Sequence, residues 1–241
     1  CKNQVKPLHF ISTISVFAGT NQIILEDESL EINRSPVGGY TQSKWVAEKI
    51  VALAGDRGIP VTIHRPGRIS GHSQTGACNP DDHTYRLIRG CIQLGSAPLD
   101  DSLVNLIPVD YTVRAIVYLS SQPESLGKTF HLFNPQPTPW NEIAESIISL
   151  GYSGEQVDYQ QWRERLLSAL ETFPDNALAP LIATFAKQDT GNTEEGIEQQ
   201  LAADNTNSGL KETGIVCPQI DQQIINAYIT SMVNQGLIEA N

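Results

Sequence analysis

Apolar positions along this chain recur at two periods, and the switches between them mark the expected elements. Leu8-His9-Phe10-Ile11 is a short apolar run of the buried-strand kind, ending in the hydroxyl-rich Ser12-Thr13-Ile14-Ser15. A mixed, acidic stretch over residues 19–36 reads as a loop, and Ser35-Pro36 leads toward a helix. Val46, Ala47, Ile50, Val51, Leu53 and Ala54 then recur at helical spacing, which predicts an amphipathic helix that stops near Gly55. Arg57-Gly58-Ile59-Pro60 turns the chain into a second strand, Val61–Arg65, broken by Pro66-Gly67. Strand, helix and strand joined by short turns form the pattern of a parallel α/β sheet.

Residues 71–106 look irregular, with one helix near Tyr85–Leu94. Ile107-Pro108-Val109 leads to Asp110, expected to N-cap a helix reaching about Ser120 with Val113, Ile116 and Val117 inward. Lys128–Phe133 is a third strand, closed by the Pro-rich residues 134–139. Beyond it the pattern turns helical. Thr138-Pro139 starts a helix through Leu150 with Gly151 as its stop, Trp162, Leu166, Leu167 and Leu170 mark a second, and Leu178–Phe185 suggests a third. Residues 191–209 are polar, acidic and expected to be mobile, and a last helix spans about Gln219–Asn234. The expected organisation is an α/β part over residues 1–139 and a mainly helical lobe over 140–241, with no internal repeat.

Composition narrows the classes. A hydrophobic content of 40% over 241 residues supports a real core, and no apolar run approaches the ~20 residues of a membrane span. The opening Cys1-Lys2-Asn3-Gln4-Val5-Lys6 lacks the apolar segment of a signal peptide, and a first residue other than Met implies a chain cut from something longer. A net charge of −11 argues against nucleic acid and anionic membranes as partners. Four scattered cysteines without a CxxC pair read as reduced cytoplasmic thiols, and five histidines show no metal-ligand spacing, so no metal is expected.

The candidate chemistry lies around the first predicted helix. Tyr40 and Lys44 are four apart and share one helix face. An ammonium beside a phenol favours phenolate, which suits such a pair to passing a proton near neutral pH. By itself the spacing is weak, since two surface residues meet it by accident. Its context is more specific: a hydroxyl cluster ends the strand before the helix, and Arg65-Pro66-Gly67-Arg68-Ile69-Ser70-Gly71 follows the strand after it. Parallel α/β sheets bind ligands outside the carboxyl ends of their strands, where Thr13 and Pro66-Gly67 both fall.

On these residues the sequence resembles the extended short-chain dehydrogenase/reductase superfamily. Its hydroxyl–Tyr–Lys set matches Thr13, Tyr40 and Lys44. Its strand-end pattern of hydroxyl residues followed by Val and an aromatic matches Ser12-Thr13-Ile14-Ser15-Val16-Phe17, which puts the catalytic hydroxyl at Thr13 with Ser12 second. Within the superfamily, Leu8–Phe17, Gly39–Lys44, His64–Ala77 and Gly214–Asp221 are similar to the thioester reductase domains that release nonribosomal peptides and polyketides. The resemblance implies a Rossmann-like doubly wound parallel sheet of which this chain is the C-terminal part. It also implies NADPH as cofactor, held by Tyr40, Lys44, Pro66, Gly67 and Ile69, and a substrate thioester on the phosphopantetheine arm of an acyl or peptidyl carrier domain, delivered along residues 71–106 and the helical lobe.

The departure from the family pattern is upstream. No Gly-rich strand–turn–helix that seats a pyrophosphate occurs, and Gly38-Gly39 is too short to replace it. The missing site implies a partner in the upstream half of the same domain, which would also carry the residues that choose NADP over NAD. Other residues read more plainly: Arg68 as a solvated arginine rather than a contact for the acyl chain, Trp45 and Trp140 as packing, and Cys78 as an inert thiol. The leading expectation is NADPH-dependent reduction of a carrier-bound thioester to an aldehyde or alcohol. The alternatives are a nucleotide-sugar epimerase or dehydratase, a fatty acyl reductase, or a truncated module without catalysis.

Overall fold

In chain order the strands of the computed structural model are β1 (Leu8–Ile11), β2 (Val61–Pro66), β3 (Arg68–Ser70), β4 (Ser96–Pro98), β5 (Leu103–Val104), β6 (Leu106–Pro108), β7 (Thr129–Leu132), β8 (Thr138–Pro139) and β9 (Glu155–Val157). The helices are α1 (Gly39–Asp56), α2 (His83–Leu94), α3 (Val109–Ser121), α4 (Trp140–Ser149), α5 (Tyr159–Thr172), α6 (Asp204–Leu210) and α7 (Gln222–Asn234). Residues 5–18, 23–32, 36, 38–152, 154–182, 185 and 201–240 are described, and these elements belong to them. The chain divides into two compact units that interleave along the sequence: residues 1–69, 111–135 and 191–217 form unit 1, and residues 70–110, 136–190 and 218–241 form unit 2.

Unit 1 is built on a parallel sheet in the order β1-β2-β7. Leu8 pairs with Val61 and Ile11 with His64, and on the other side of β2 Ile63 pairs with Thr129 and Pro66 with Leu132. Among the described residues β1 is therefore a sheet edge, as its sequence position implies. Alternate residues of β2 point to opposite faces. Arg65 bonds Glu48 of α1, whereas His64 bonds Ser120 of α3, so the two helices cover opposite faces. Both connections step the same way across the sheet, so they have opposite hands, and one departs from the right-handed rule for such crossovers.

Two helix registers differ from expectation. α1 turns Thr41, Glu48 and Val51 inward and leaves Val46, Ile50 and Leu53 exposed. α3 buries Tyr111, Thr112, Ala115 and Leu119, while Val113 and Val117 face outward. In α1 the cause is the buried guanidinium of Arg65, which draws Glu48 inward. A buried cation without a partner is far costlier than an exposed apolar side chain. Asp110 also does not cap α3. It lies in the first turn, and its carboxylate accepts bonds from the Ser73 N–H and hydroxyl.

The stretch expected to be mobile is partly ordered. Residues 191–200 lie outside the described residues, but α6 follows them and is fastened by Glu26, whose carboxylate accepts from the backbone N–H groups of Asn205 and Thr206 and from the Thr206 hydroxyl. That helix has no capping side chain of its own, so Glu26 caps it from far along the chain.

Unit 2 holds α2, α4, α5 and α7, with β4 pairing β9 in parallel and β5 pairing β8 antiparallel. Its residues 71–106, expected to be mostly irregular, therefore carry short strands as well as α2. Tyr85, Ile88, Trp140, Ile143, Trp162 and Tyr228 are almost wholly buried in one apolar core. The loop before α2 presses on α7: Gly76 has φ +66°, and a Cβ there would meet the Ala227 carbonyl oxygen at 2.0 Å. Of the expected helix over Leu178–Phe185, a 3-10 turn at Ala179–Leu181 is seen, and residues 183–184 lie outside the described residues. No helix among the described residues is long and apolar enough to cross a membrane.

Candidate active site

Three of the predicted site segments meet at the carboxyl ends of β1 and β2. Thr13 lies two residues beyond β1 in extended conformation, where it caps the 3-10 turn Ile14–Phe17. Its hydroxyl accepts from the Ser15 N–H at 3.2 Å and donates to the Ser15 hydroxyl at 3.2 Å. The turn is held by Ile14, Val16 and Phe17, packed with Ile24, Leu30 and Leu201. Ser12, the second choice, is buried, and its hydroxyl has no hydrogen-bond partner among the described residues.

α1 brings Tyr40 and Lys44 to the same end of the sheet. The Lys44 ammonium donates to the Ile11 carbonyl oxygen at 2.9 Å and lies 5.5 Å from the Phe10 ring centre. That contact fixes Lys44 to the strand whose next turn carries Thr13. Tyr40, one helical turn earlier, is 60% exposed, so its phenol is open to an incoming molecule. Pro66 ends β2 and is buried, Gly67 donates its N–H to the Leu132 carbonyl at 2.8 Å, and Ile69 is half-buried in β3. All five residues expected to hold the cofactor thus stand on α1 or at the end of β2 and the strand that follows it.

Behind this edge lies a buried polar group that the sequence pattern did not reveal. Arg65 donates from Nε and Nη2 to Glu48 Oε1, at 3.0 and 2.6 Å, and from Nη1 to the Glu26 carbonyl and to His131 Nε2. An arginine can only donate, so His131 Nε2 is the acceptor and its Nδ1–H donates to the Ala202 carbonyl at 2.9 Å. Burial, with Arg65 adding to it, pushes the His131 pKa down to about 3. Burial likewise raises Glu26 above the usual carboxylate range, against the bonds it accepts from His131, Thr206 and Asn205. The available signal was an arginine inside an apolar strand, which demands a buried acceptor.

Other candidates fall away on geometry. Burial pushes the Cys78 thiol up to about 11, which leaves it protonated and a poor nucleophile. The indole of Trp45 donates to the Leu30 carbonyl and that of Trp140 to the Pro98 carbonyl, so both pack rather than stand open. No group of three or more His, Cys, Asp or Glu among the described residues is placed to hold a metal ion.

A parallel sheet with a hydroxyl at one strand end and a Tyr-x-x-x-Lys helix beside it defines the short-chain dehydrogenase/reductase architecture. The family profile described as "Male sterility protein", an NAD-binding family, matches residues 1–116. The linear gramicidin synthase of Brevibacillus parabrevis is 37% identical over 239 residues, 97% of this chain but 5% of that protein. The crystal structure of the terminal R domain from the myxalamid PKS-NRPS biosynthetic pathway aligns with a TM-score of 0.87 at 44% identity, covering 98% of this chain and 60% of that one. The thiolation-reductase di-domain of an archaeal nonribosomal peptide synthetase shares the fold, with a TM-score of 0.76 at 21% identity over 98% of this chain and 50% of its own. The chain belongs to the extended short-chain dehydrogenase/reductase superfamily, among the terminal reductase domains of nonribosomal peptide and polyketide synthases. It spans only a part of each of these relatives.

Proposed function

We propose that this chain is the catalytic C-terminal part of a thioester reductase that uses NADPH to release a carrier-bound acyl or peptidyl chain as an aldehyde or alcohol. The observation that carries the reading is the gathering of Thr13, Lys44 and Pro66-Gly67 at one edge of a parallel sheet, with Lys44 tied to the end of β1. The residues present fit a nicotinamide nucleotide. The Lys44 ammonium has three N–H donors and spends one on Ile11, leaving two for ribose hydroxyls. Gly67 offers backbone without side-chain bulk beside them.

NADPH, when bound, supplies the hydride that reduces the thioester carbonyl carbon. Tyr40 donates its phenolic proton to the carbonyl oxygen as negative charge develops there, and Lys44 stabilises the phenolate left behind. Thr13 turns its hydroxyl from Ser15 to that same oxygen. The resulting hemithioacetal expels the phosphopantetheine thiol, giving the aldehyde; repetition gives the alcohol. The site residues Thr13, Tyr40, Lys44, Pro66, Gly67 and Ile69 are part of this proposal.

Two partners belong to it. One is the carrier domain, supported by the relatives being domains of carrier-dependent synthases. The other is an upstream half of the same domain that pairs with β1 and seats the cofactor pyrophosphate. It is supported by the free edge of β1 among the described residues, by its exposed Leu8 and Ile11, and by the lack of a Gly-rich phosphate motif in the sequence. The free thiols of Cys78, Cys91 and Cys217 suit a cytoplasmic location. The test compares kcat/KM of the intact protein on a carrier-tethered thioester with that on a nucleotide sugar. Turnover of the tethered thioester supports the proposal, and activity confined to the sugar overturns it.

A further inference from the structure

Arg65 touches every part of unit 1 from which the site is built. On α1 it holds Glu48, one helical turn beyond Lys44, with both side chains almost wholly buried. On the turn that begins at Thr13, its guanidinium lies 4.7 Å from the Phe17 ring centre. On β7 it holds His131, and on the segment after Ile24 it holds the Glu26 carbonyl. Its own backbone is one residue before Pro66. One planar cation thus references the helix of the Tyr/Lys pair, the hydroxyl turn and the cofactor strand to a single point. Four of its five N–H groups are used, in directions that only a rigid fork supplies.

Such an arrangement is a poor way to gain stability alone. A buried ion pair repays its desolvation only with full satisfaction, and here Glu48 Oε2 has no hydrogen-bond partner among the described residues. Apolar residues of similar size would hold the sheet and helix together about as well. What they lack is direction.

We propose that Arg65 and Glu48 are positioning residues for the reduction: their ion pair sets the rotation of α1, and with it the place of Lys44 and Tyr40 relative to Thr13 and Pro66. This rests on the function proposed above. A misplacement of about 1 Å costs on the order of 10²-fold in rate, so small rotations of α1 matter to turnover well before they matter to folding.

The test uses three variants of the intact protein: Arg65→Lys, Glu48→Leu and the apolar pair Arg65→Met/Glu48→Leu. For each, kcat is taken per molecule of NADPH bound, KM is taken for the thioester, and the urea midpoint is recorded. Arg65→Lys is expected to lose on the order of 10²-fold in kcat with KM nearly unchanged. The apolar pair is expected to recover the midpoint lost in Glu48→Leu, because no lone buried charge remains, while kcat stays low. If kcat per bound NADPH returns to the wild-type value in the apolar pair, the role is structural only and the proposal is overturned. Should the apolar pair fail to fold, Arg65→Lys decides alone, and a kcat within about twofold of wild type overturns the proposal. A wild type inactive on carrier thioesters but active on another carbonyl sinks the thioester reading, and the variants are then compared on that carbonyl. Should the wild type reduce none, the crystal structure of Arg65→Lys decides: a lengthened Lys44 Nζ–Ile11 oxygen distance supports the proposal, and an unchanged one overturns it.

Discussion

Unit 2 gathers twenty buried apolar residues around Trp162 among those described, whereas unit 1 gathers six around Phe17 and fills the rest of its interior with Arg65, Glu48, Glu26 and His131. The unit that carries the candidate chemistry is therefore held by directional polar contacts, and its neighbour in the chain by apolar burial. Apolar burial tolerates small rotations of its parts, and a hydrogen-bonded charge does not. A site that needs a phenol, an ammonium and a hydroxyl in fixed relation gains from the second kind of interior.

The comparison breaks most visibly in unit 2. Trp162 is fully buried, donates its indole N–H to the Ser96 carbonyl and meets the Phe185 ring edge-on at 5.2 Å. Trp162→Ala is expected to cost about 3–5 kcal/mol and to expose α4, α5 and α7 to hydrogen exchange. Protection in β1, β2 and β7 should fall far less, and equal loss in both units contradicts the division.

Acid sharpens the comparison from the other side. Burial holds His64 at about 4 and His131 at about 3, against an ordinary value of 6.5. As pH falls below about 6.5, the unfolded chain takes up these two protons and the folded chain does not. Stability is then lost at about 1.4 kcal/mol per pH unit for each histidine, until the folded values are reached. Glu26 runs the opposite way: its raised pKa gives a contribution present at low pH and lost as pH rises through the folded value. Two histidines outweigh one carboxyl, so hydrogen-exchange protection of unit 1 should drop between pH 6.5 and 4, and that of unit 2 should hold. A flat profile in unit 1 contradicts the account of its interior.

The smallest expected effect is Tyr228→Phe in unit 2. It removes a hydroxyl bonded to the Ser70 hydroxyl at 2.7 Å and to the Gly71 carbonyl at 3.2 Å. A loss of about 1 kcal/mol is expected in urea titration, and a loss several times larger means that unit 2 also leans on polar contacts.

How much of this was legible in the sequence follows the same contrast. The strands β1, β2 and β7 stand out as short apolar runs, and α2, α4, α5 and α7 as helical periods, because apolar burial writes itself as spacing. The Tyr40/Lys44 helix and the hydroxyl-ended strand were legible as motifs. The registers of α1 and α3 were not, because the inward face of α1 holds Thr41 and Glu48 while Val46, Ile50 and Leu53 look outward. Periodicity finds a helix but misjudges its face when an ion pair decides the face. β4, β5 and β9 are too short for their alternation to register. α6 reads as a polar loop because its cap, Glu26, lies in a distant part of the chain.

The central claim is that Tyr40 delivers the proton in a reduction that this sheet edge organises. Its most direct test is single-turnover loss of NADPH absorbance when the intact wild-type protein and its Tyr40→Phe variant meet the same carrier-tethered thioester. The account predicts that the variant binds NADPH with unchanged affinity and transfers hydride ~10²–10⁴-fold more slowly. Hydride transfer at the wild-type rate in Tyr40→Phe would remove Tyr40 from the mechanism and contradict the account.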